Sequence, residues 1–427
     1  MKILGIETSC DESAVCLIDA QGDLPAQAGF KNDFRFQVLG NALISQIAIH
    51  AQYGGVFPNL AKREHSRNLV PLLQQVMEQD SGNQKSEIRN QNVMQKSKME
   101  EMRDILSREP ELYAQLSVFL QNNTRPAINA IAVTVGPGLE PALWVGINFA
   151  RALSLVWSIP IVAVNHMEGH IIMSLVDFNS VHNPNTSFLN EVLGLKPIRF
   201  PMLALLISGG HTELVISKAF HKYEILGATR DDAVGEAFDK VARLLGLPYP
   251  GGPSLSALAE RARKNADNKY PQMNANGNPR KSAFKLPRPM LHDDSLDFSF
   301  AGLKTAVLRI VEANSPLTDE MQFMIAREFE DAVTDVLVGK TIRACDEYGV
   351  QTVVVGGGVS ANTHIRLRLA GALAEAGLPP PLVSPPEFAT DNALMIALAG
   401  YFRAAKKEFS NPAELRASGN LRLGKSA

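Results

Sequence analysis

The chain has 427 residues, 45% of them hydrophobic and 20% charged, which is the composition of an ordinary globular protein with about two or three domains. Its formal net charge of −2 excludes binding to nucleic acid by bulk electrostatic attraction, so such binding would need a local basic patch or a partner protein. No uninterrupted apolar run reaches the roughly 18 residues of a membrane span, and Glu7 stands where a signal peptide would still be apolar.

The first part of the chain predicts a strand pair, a helix and a polar insertion. Residues 2–7 and 14–19 are short apolar strands joined by the polar turn 8–13. Residues 63–77 have the pattern of a helix. Residues 79–121 are polar and rich in charge, show no clear strand, and predict an inserted segment that is helical.

The next stretch alternates buried strands and helices. It predicts a strand at 129–135, a glycine turn at 136–139, an apolar helix at 142–157 and a strand at 159–164. Residues 178–199 are rich in Asn, Pro, Ser and Thr, and predict the connection between two domains.

The second half repeats this alternation. Strands are predicted at 202–207, 213–217 and 351–355, and helices at 233–245, 254–263, 320–346 and 393–403. Glycine turns follow strands in both halves, and in parallel sheets such turns lie along one ligand-binding edge. Two such halves facing each other would form a nucleotide-binding clamp.

We therefore predict an α/β protein with two domains. The first covers residues 1–177 with an insertion at about 79–126, and the second covers residues 200–390 with an insertion at about 264–290. The C-terminal residues 391–427 could pack back on the first domain.

Two histidines, His166 and His170, stand four residues apart on a predicted helix, so their imidazoles project from one face. This spacing lets both bind one divalent metal ion and leaves coordination positions for a third ligand and a substrate. Two ordinary surface or packing histidines are the alternative interpretation. Met167 occupies the position of the glutamate base in zinc-protease helices, which argues against a metalloprotease.

Three acidic residues elsewhere suit a cation site. Asp391 opens the final helix, where it either caps free N–H groups or serves as a third metal ligand brought close by a cleft between the halves. Asp11 and Glu12 in the first turn would repel a phosphate, so they suit a cation, an amine or a general-base role.

Two glycine turns in the second half could bind a nucleotide. Ser208, Gly209 and Gly210 offer N–H and O–H donors to a phosphate, or form a plain hairpin. The glycine run at 356–362 lacks the Lys-Ser/Thr ending of a Walker A loop, and its glycines do not have the Rossmann spacing. A tight turn without a ligand is therefore the alternative to nucleotide binding. Asp239, inside an otherwise apolar helix, could reach a ribose hydroxyl.

Together these motifs resemble the TsaD family, formerly labelled glycoproteases, over residues 1 to about 404. The motifs that carry the resemblance occur in the family's order at residues 6–12, 50–56, 135–138, 165–170, 208–212, 235–240, 249–253, 297–304, 356–362 and 390–392. The resemblance implies a two-lobed, actin-like ATPase fold of the sugar kinase and Hsp70 class. It also implies a tRNA N6-adenosine threonylcarbamoyltransferase, which moves the threonylcarbamoyl group from threonylcarbamoyl-AMP to adenosine 37 of tRNAs that read codons beginning with A.

The same resemblance implies roles for individual residues. One divalent metal ion, iron or zinc, would be held by His166, His170 and Asp391, and Asp11 and Glu12 would lie near the reacting group. The residues implied for the nucleotide-like substrate, whose site ATP or ADP could also occupy, are Leu206, Ile207, Ser208, Gly209, Gly210, Asp239, Gly252 and Asn362.

The family further implies tRNA, an inactive actin-fold paralogue (TsaB-like), a P-loop ATPase (TsaE-like) and a separate synthase as partners. No membrane association is expected, and three cysteines without a disulfide or zinc-knuckle spacing suit a reducing cytoplasm. Asn59 stands where the family generally has a glutamate, and the insertions are longer than usual, which concerns partner contacts more than chemistry.

Other functions fit the sequence less well. A non-catalytic scaffold of the same fold should lack the histidine pair or the glycine turns, and this chain has both. An actin-fold small-molecule kinase carries an Asp-Gly-Thr first turn, whereas this turn begins Glu7-Thr8-Ser9.

Overall fold

The computed structural model of the protein describes residues 1–22, 33–81, 96–180, 189, 191–269 and 285–424. The chain divides into two compact units, unit 1 with Met1–Ile198 and Thr390–Ala427, and unit 2 with Arg199–Ala389. Among the described residues, no helix combines the length and the apolar character that crossing a membrane requires.

The strands, in chain order, are β1 (Lys2–Glu7), β2 (Glu12–Gln21), β3 (Arg35–Ser45), β4 (Ala130–Gly136), β5 (Ile161–Asn165), β6 (Val176–Asp177), β7 (Val192–Leu195), β8 (Met202–Ile207), β9 (Thr212–Ala219), β10 (Lys222–Ala228), β11 (Thr352–Gly356) and β12 (Leu382–Val383). The α-helices are α1 (Ile47–His50), α2 (Pro58–Ser81), α3 (Lys96–Ile105), α4 (Pro110–Asn122), α5 (Glu140–Trp157), α6 (His166–Leu175), α7 (Val234–Leu244), α8 (Gly251–Lys269), α9 (Ala301–Ala313), α10 (Asp319–Tyr348), α11 (Thr363–Glu375) and α12 (Ala393–Ala405). Short 3-10 helices lie at Ala51–Tyr53, Phe178–Ser180, Gly358–Ala361 and Pro386–Phe388.

The two units share a five-stranded sheet arrangement, which unit 1 extends with two further strands. Unit 1 has the order β5-β4-β1-β2-β3-β7-β6 and unit 2 the order β10-β9-β8-β11-β12. In each, the first strand pairs antiparallel with the second and parallel with the fourth, and the fourth pairs parallel with the fifth. Two copies of this arrangement in one chain characterise the actin-like fold. The predicted α/β, actin-like class is confirmed.

The sheet of unit 1 is buried because helices cover it. Every residue of β4 is buried, as expected for a parallel strand covered on both faces. Helix α12 has eleven buried residues and packs against β1, β2, β4 and α6. Glycines permit this close approach, since a Cβ on Gly400 would lie 2.2 Å from the Cβ of Ala132. A Cβ on Gly5 would likewise lie 2.4 Å from the backbone oxygen of Ala393.

Most of the elements expected from periodicity are present, and the differences lie in polar or interrupted segments. The insertion predicted at 79–126 forms α3 and α4 where it is described, while its residues 82–95 and residues 270–284 of the second insertion lie outside the described residues. The sequence did not predict β3, β10 or α9. The loop prediction for 178–199 is partly wrong, because β7 lies in it and pairs with β3.

The contact between α12 and the sheet predicts a stability difference between two helical glycines. Gly400→Ala should lower the free energy of unfolding, because overpacking costs about 1–3 kcal/mol and the better helix propensity of Ala returns only about 1. Gly371→Ala on the exposed side of α11, where nothing lies within 4 Å of the new methyl group, should be neutral or slightly stabilising. Thermal denaturation followed by circular dichroism measures both, and equal midpoints for the two variants would contradict the packing described here.

Candidate functional site

Three side chains of unit 1 converge in a candidate metal centre. The Oδ1 atom of Asp391 lies 3.2 Å from the Nε2 atoms of both His166 and His170. The two imidazoles meet edge to face with ring centroids 4.7 Å apart. The three ligand atoms all lie within 4.8 Å of one another. Donor atoms this close to one another can coordinate a single ion.

Two asparagine caps leave these side chains free to face one another. Asn165 caps α6, accepting a hydrogen bond from the backbone N–H of Met167, and His166 follows it directly. Asn392 caps α12 by accepting from the N–H of Met395 at 3.0 Å, and Asp391 immediately precedes it. The capping role considered for Asp391 therefore belongs to Asn392.

The two elements that carry the ligands are held against each other. Gly169, between the two histidines, lets α12 approach, since its Cβ would lie 3.0 Å from the Cγ atom of Met395. On the same helix, Glu168 is fully buried, and its Oε2 accepts hydrogen bonds from Nε and Nη2 of Arg403 at 2.9 and 2.7 Å. This ion pair joins α6 to the far end of α12.

Glu7 supports His166 from the side opposite Asp391. Its Oε2 lies 3.1 Å from Nδ1 of His166 and accepts a 2.6 Å hydrogen bond from the hydroxyl of Thr134. Its other oxygen accepts from the backbone N–H of Ser9. A proton on Nδ1 pointing at Glu7 leaves Nε2 with a free lone pair, which is the arrangement found around metal-bound histidines.

The electrostatics of this cluster favour positive charge. Burial opposes the imidazolium form of His166, but Asp391 and Glu7 outweigh burial and raise its pKa well above the usual value. Burial also opposes ionisation of Asp391, yet the two histidines outweigh it and lower the pKa of this carboxyl. Burial lowers the pKa of His170. Two carboxylates thus stabilise a cation at His166, whether the cation is a proton or a metal ion.

The acidic turn lies beside this cluster. Burial, then Asp391 and Asp11, raise the pKa of Glu12 to about 10, and a hydrogen bond with Asp11 contributes to the rise. The same neighbours and burial raise the pKa of the Cys10 thiol. A cation bound at Asp391 would offset part of this repulsion and lower the pKa of Glu12.

The donor set fits a divalent metal ion. Two imidazole nitrogens and one carboxylate oxygen are ligands used for zinc and for non-haem iron. The Nε2 atom of His170 is buried and makes no hydrogen bond, and it lies 3.2 Å from the Asp391 carboxylate that would share the ion with it. A cleft between the two halves is not needed to bring Asp391 to the histidines, because residues Thr390–Ala427 belong to the same unit as α6, which agrees with the alternative that the C-terminal residues pack back on the first domain.

In unit 2 the turn between β8 and β9 is open. The N–H of Ser208 donates to the carbonyl of His211 at 2.9 Å, and the N–H of His211 donates to the hydroxyl of Ser208 at 3.1 Å. No atom lies within 4 Å of the Cβ positions of Gly209 and Gly210, so a ligand can approach their backbone. The side chains of Leu206 and Ile207 are fully buried in β8, so only their backbone could face a ligand.

Two further turns of unit 2 meet this one. Gly357 has φ of +91°, and its Cβ would lie 2.4 Å from the carbonyl oxygen of Ile207, so only glycine fits there. Gly235, near the start of α7, donates its N–H to the carbonyl of Ser208 at 3.2 Å. The structure therefore gathers the predicted serine–glycine turn, the late glycine run and one helix N-terminus into a single surface.

The remaining residues implied for nucleotide binding make contacts within the protein. Asp239 accepts hydrogen bonds from the N–H groups of Gly251 and Gly252 at 2.7 and 3.3 Å, which fixes the start of α8. Asn362 caps α11 through its oxygen, and its amide nitrogen donates to Glu330 at 2.7 Å and to Ser256 at 2.8 Å. Both side chains shape the backbone near the turns.

Sequence reasoning gave no role to several residues of the site. Glu7, Glu168 and Arg403 support the metal cluster, and His65 holds the acidic turn by a 3.0 Å contact between its Nε2 and the carbonyl oxygen of Cys10. Glu7 carried a signal, since a carboxylate ends the otherwise apolar strand β1. Arg403 and His65 carried no such sequence signal, because the residues they contact are distant in sequence.

Comparison with known proteins decides the family. The TsaD profile, described as tRNA N6-adenosine threonylcarbamoyltransferase, matches residues 37–88 and 117–398. The chain belongs to the TsaD family. The tRNA N6-adenosine threonylcarbamoyltransferase from Aromatoleum aromaticum is 38% identical to this chain over 405 residues. The match covers 95% of this chain and 92% of that protein. The protein of the same name from Ralstonia pickettii is 40% identical over 410 residues, and the match covers 94% of this chain and 91% of that protein. The predicted family and the predicted transferase class are confirmed.

Solved structures resemble the chain more distantly. Component A of the (R)-2-hydroxyglutaryl-CoA dehydratase from Acidaminococcus fermentans has 13% identity and a TM-score of 0.39, covering 95% of this chain and 99% of that one. The ROK hexokinase from Thermus thermophilus has 13% identity and a TM-score of 0.36, covering 95% of this chain and 100% of that one.

The support that Glu7 gives to His166 predicts an effect on metal affinity. Glu7→Gln keeps the volume and removes the charge, so His166 loses its anionic partner, and zinc affinity should fall about 10- to 100-fold. Isothermal titration of the metal-free protein with zinc measures this. Glu408→Gln, at an exposed carboxylate paired with the same Arg403 that holds Glu168, is the control and should bind zinc like the wild type. An unchanged affinity for Glu7→Gln would remove Glu7 from the centre.

Proposed function

We propose that this protein transfers the threonylcarbamoyl group of threonylcarbamoyl-AMP to N6 of adenosine 37 in tRNAs that read codons beginning with A. Membership of the TsaD family supports the reaction class. The observation that carries the chemical proposal is the convergence of His166, His170 and Asp391 beside the acidic turn.

The proposed metal ligands are these three residues, with iron or zinc as the ion. When bound, the ion would polarise the carbamoyl carbonyl and offset the negative charge of the departing AMP. The protein's own part is to keep His166 in one orientation through Glu7 and to bring Asp391 to it through α12. Both tasks depend on buried, directional contacts, which keep the site ordered before a ligand arrives.

The adenylate would bind to unit 2 at the turn of Ser208, Gly209 and Gly210. Their backbone N–H groups and the Ser208 hydroxyl are donors suited to a phosphate. The N-terminus of α7, next to this turn, adds favourable dipole charge for an anion. ATP or ADP would occupy the same turns, and Asp239, Gly252 and the Asn362 region would shape the ribose side.

We assign the proton-accepting role to Asp11. The adenosine amine attacks the carbamoyl carbon, the bond from that carbon to the phosphate oxygen breaks, AMP leaves, and the amine loses one proton. Glu12 retains its own proton because of burial and its anionic neighbours, so it serves poorly as an acceptor. It can instead orient Asp11 by sharing that proton.

Further proposals follow from the family. The proposed partners are tRNA, an inactive actin-fold paralogue, a P-loop ATPase and a synthase that makes the adenylate, all in the cytoplasm. The direct test combines the protein with the paralogue, the ATPase, tRNA, ATP and pre-formed threonylcarbamoyl-AMP, followed by nucleoside mass spectrometry. Adenosine 37 that stays unmodified while the adenylate is intact would refute the proposal, and phosphorylation of a small molecule would favour a kinase.

Replacing Asp11 should slow chemistry rather than binding. Asp11→Asn removes the acceptor but keeps the shape, so kcat should fall about 10²- to 10⁴-fold with little change in KM for threonylcarbamoyl-AMP. Glu12→Gln retains a hydrogen-bond donor toward Asp11 and should cost less. If Glu12→Gln were the more damaging change, the proton role would belong to Glu12. Single-turnover transfer assays on both variants give the comparison.

Removing a proposed metal ligand should weaken metal binding and activity together. Loss of a residue that only supports a metal ligand lowers metal affinity about 10- to 100-fold. His170→Ala should lower it further, because the variant loses a direct ligand. Wild-type protein stripped by a chelator should recover activity when iron or zinc is returned. The variant should not recover activity at the same metal concentration. Metal analysis with circular dichroism separates this from unfolding. A folded variant that retains one ion per chain contradicts the ligand assignment.

A further inference from the structure

An exposed aromatic pair lies in the segment between α1 and α2. Tyr53 and Phe57 are 65% and 52% exposed, although large aromatic side chains are usually buried. Their rings lie nearly parallel, with centroids 6.1 Å apart and an interplanar angle of 27°. Gly54 and Gly55 separate them, and no atom lies within 4 Å of the Cβ position of Gly55. The pair therefore presents an open apolar face.

A series of hydrogen bonds fixes this pair relative to the acidic turn. The N–H of Gln46 donates to the carbonyl of Asp11 at 2.8 Å, and the side-chain oxygen of Gln46 lies 3.1 Å from Nε2 of His50. The Nδ1 atom of His50 then accepts from the N–H of Phe57 at 3.3 Å. Tyr53 follows Gln46 by seven residues of helical chain, a rise of roughly 10 Å. The aromatic face is thus tied to the backbone of Asp11 through Gln46 and His50.

We propose that Tyr53 and Phe57 form a platform on which an unpaired nucleobase of tRNA stacks while the target adenosine reacts. The inference rests on the proposed function, because that reaction requires a base to leave its stack and approach Asp11. The buried carboxyl of Asp11 and the partly buried carboxylate of Asp391 disfavour a phosphate that comes near. An uncharged base is not repelled, and exposed aromatic rings are the usual platform for unpaired RNA bases.

The platform suits a neighbour of the target better than the target itself. Parallel rings 6.1 Å apart leave too little space for a base to insert between them, so the base stacks on the outer face. A purine and a pyrimidine both have such a face, and the contact is tolerant of sequence. The platform therefore contributes to tRNA affinity and position, while selection of the reacting base remains with the site around Asp11.

The test uses an anticodon stem-loop RNA with 2-aminopurine next to the target adenosine, in the complex that transfers the group. Tyr53→Ala and Phe57→Ala should raise KM for tRNA about tenfold, the size expected for one lost stacked base, with kcat changed much less. Binding of wild-type protein should quench 2-aminopurine emission, Tyr53→Phe should retain the quenching, and Tyr53→Ala should lose it. Phe409→Ala, which truncates an aromatic side chain that is 46% exposed, is the matched control and should behave like the wild type.

Each outcome bears on the proposal separately from the proposed function. Wild-type protein that transfers the group, together with alanine variants of unchanged KM and unchanged quenching, overturns the platform and leaves the reaction intact. Variants that lose binding to the paralogue while RNA quenching persists would assign the pair to a protein contact and also overturn it. A kcat loss without a KM change would contradict it as well, because stacking should act on binding.

Discussion

The packing of α12 against α6 and the sheet of unit 1 is the constraint on which the candidate metal centre depends. Two of the three ligands lie on one helix, but Asp391 reaches them only because α12 lies flat on β1 and β4. Gly5 and Gly400 each permit a close approach that a methyl group would prevent, and a methyl group on Gly169 would crowd the side chain of Met395. The chemistry thus rests on the absence of three side chains as much as on the presence of three ligands.

The charge distribution follows from this packing. The fold buries Glu7, Asp11 and Glu12 and holds the partly buried Asp391 against His166, although water solvates separate carboxylates far better. A cluster of carboxylates is stable when a cation or shared protons compensate its negative charge. Burial first, and then that concentration of negative charge, raise the pKa of Glu12, whereas for His166 the negative charge outweighs burial. A metal ion at the candidate centre would offset this negative charge.

The sequence predicted what depends on local spacing. The pair His166 and His170 could be recognised because four residues make one helical turn, and apolar runs such as β1 and β4 identified the buried strands. It could not predict contacts set by packing across the chain, such as those of Glu7 or Arg403. The strands β3 and β10 were missed because glycine and charged residues interrupt their alternation. The cap on Asn392 could be found only from backbone geometry.

Unit 1 is assembled from both ends of the chain, which affects the order of its biogenesis. While the ribosome is still adding unit 2, the sheet face that α12 will cover remains bare, and the histidines have no third donor. A nascent chain in this state exposes apolar surface and is prone to aggregation. Capture of an ion at the candidate centre must then wait until Asp391 has been synthesised, so a chain that ends at residue 389 would lack the third donor of that centre.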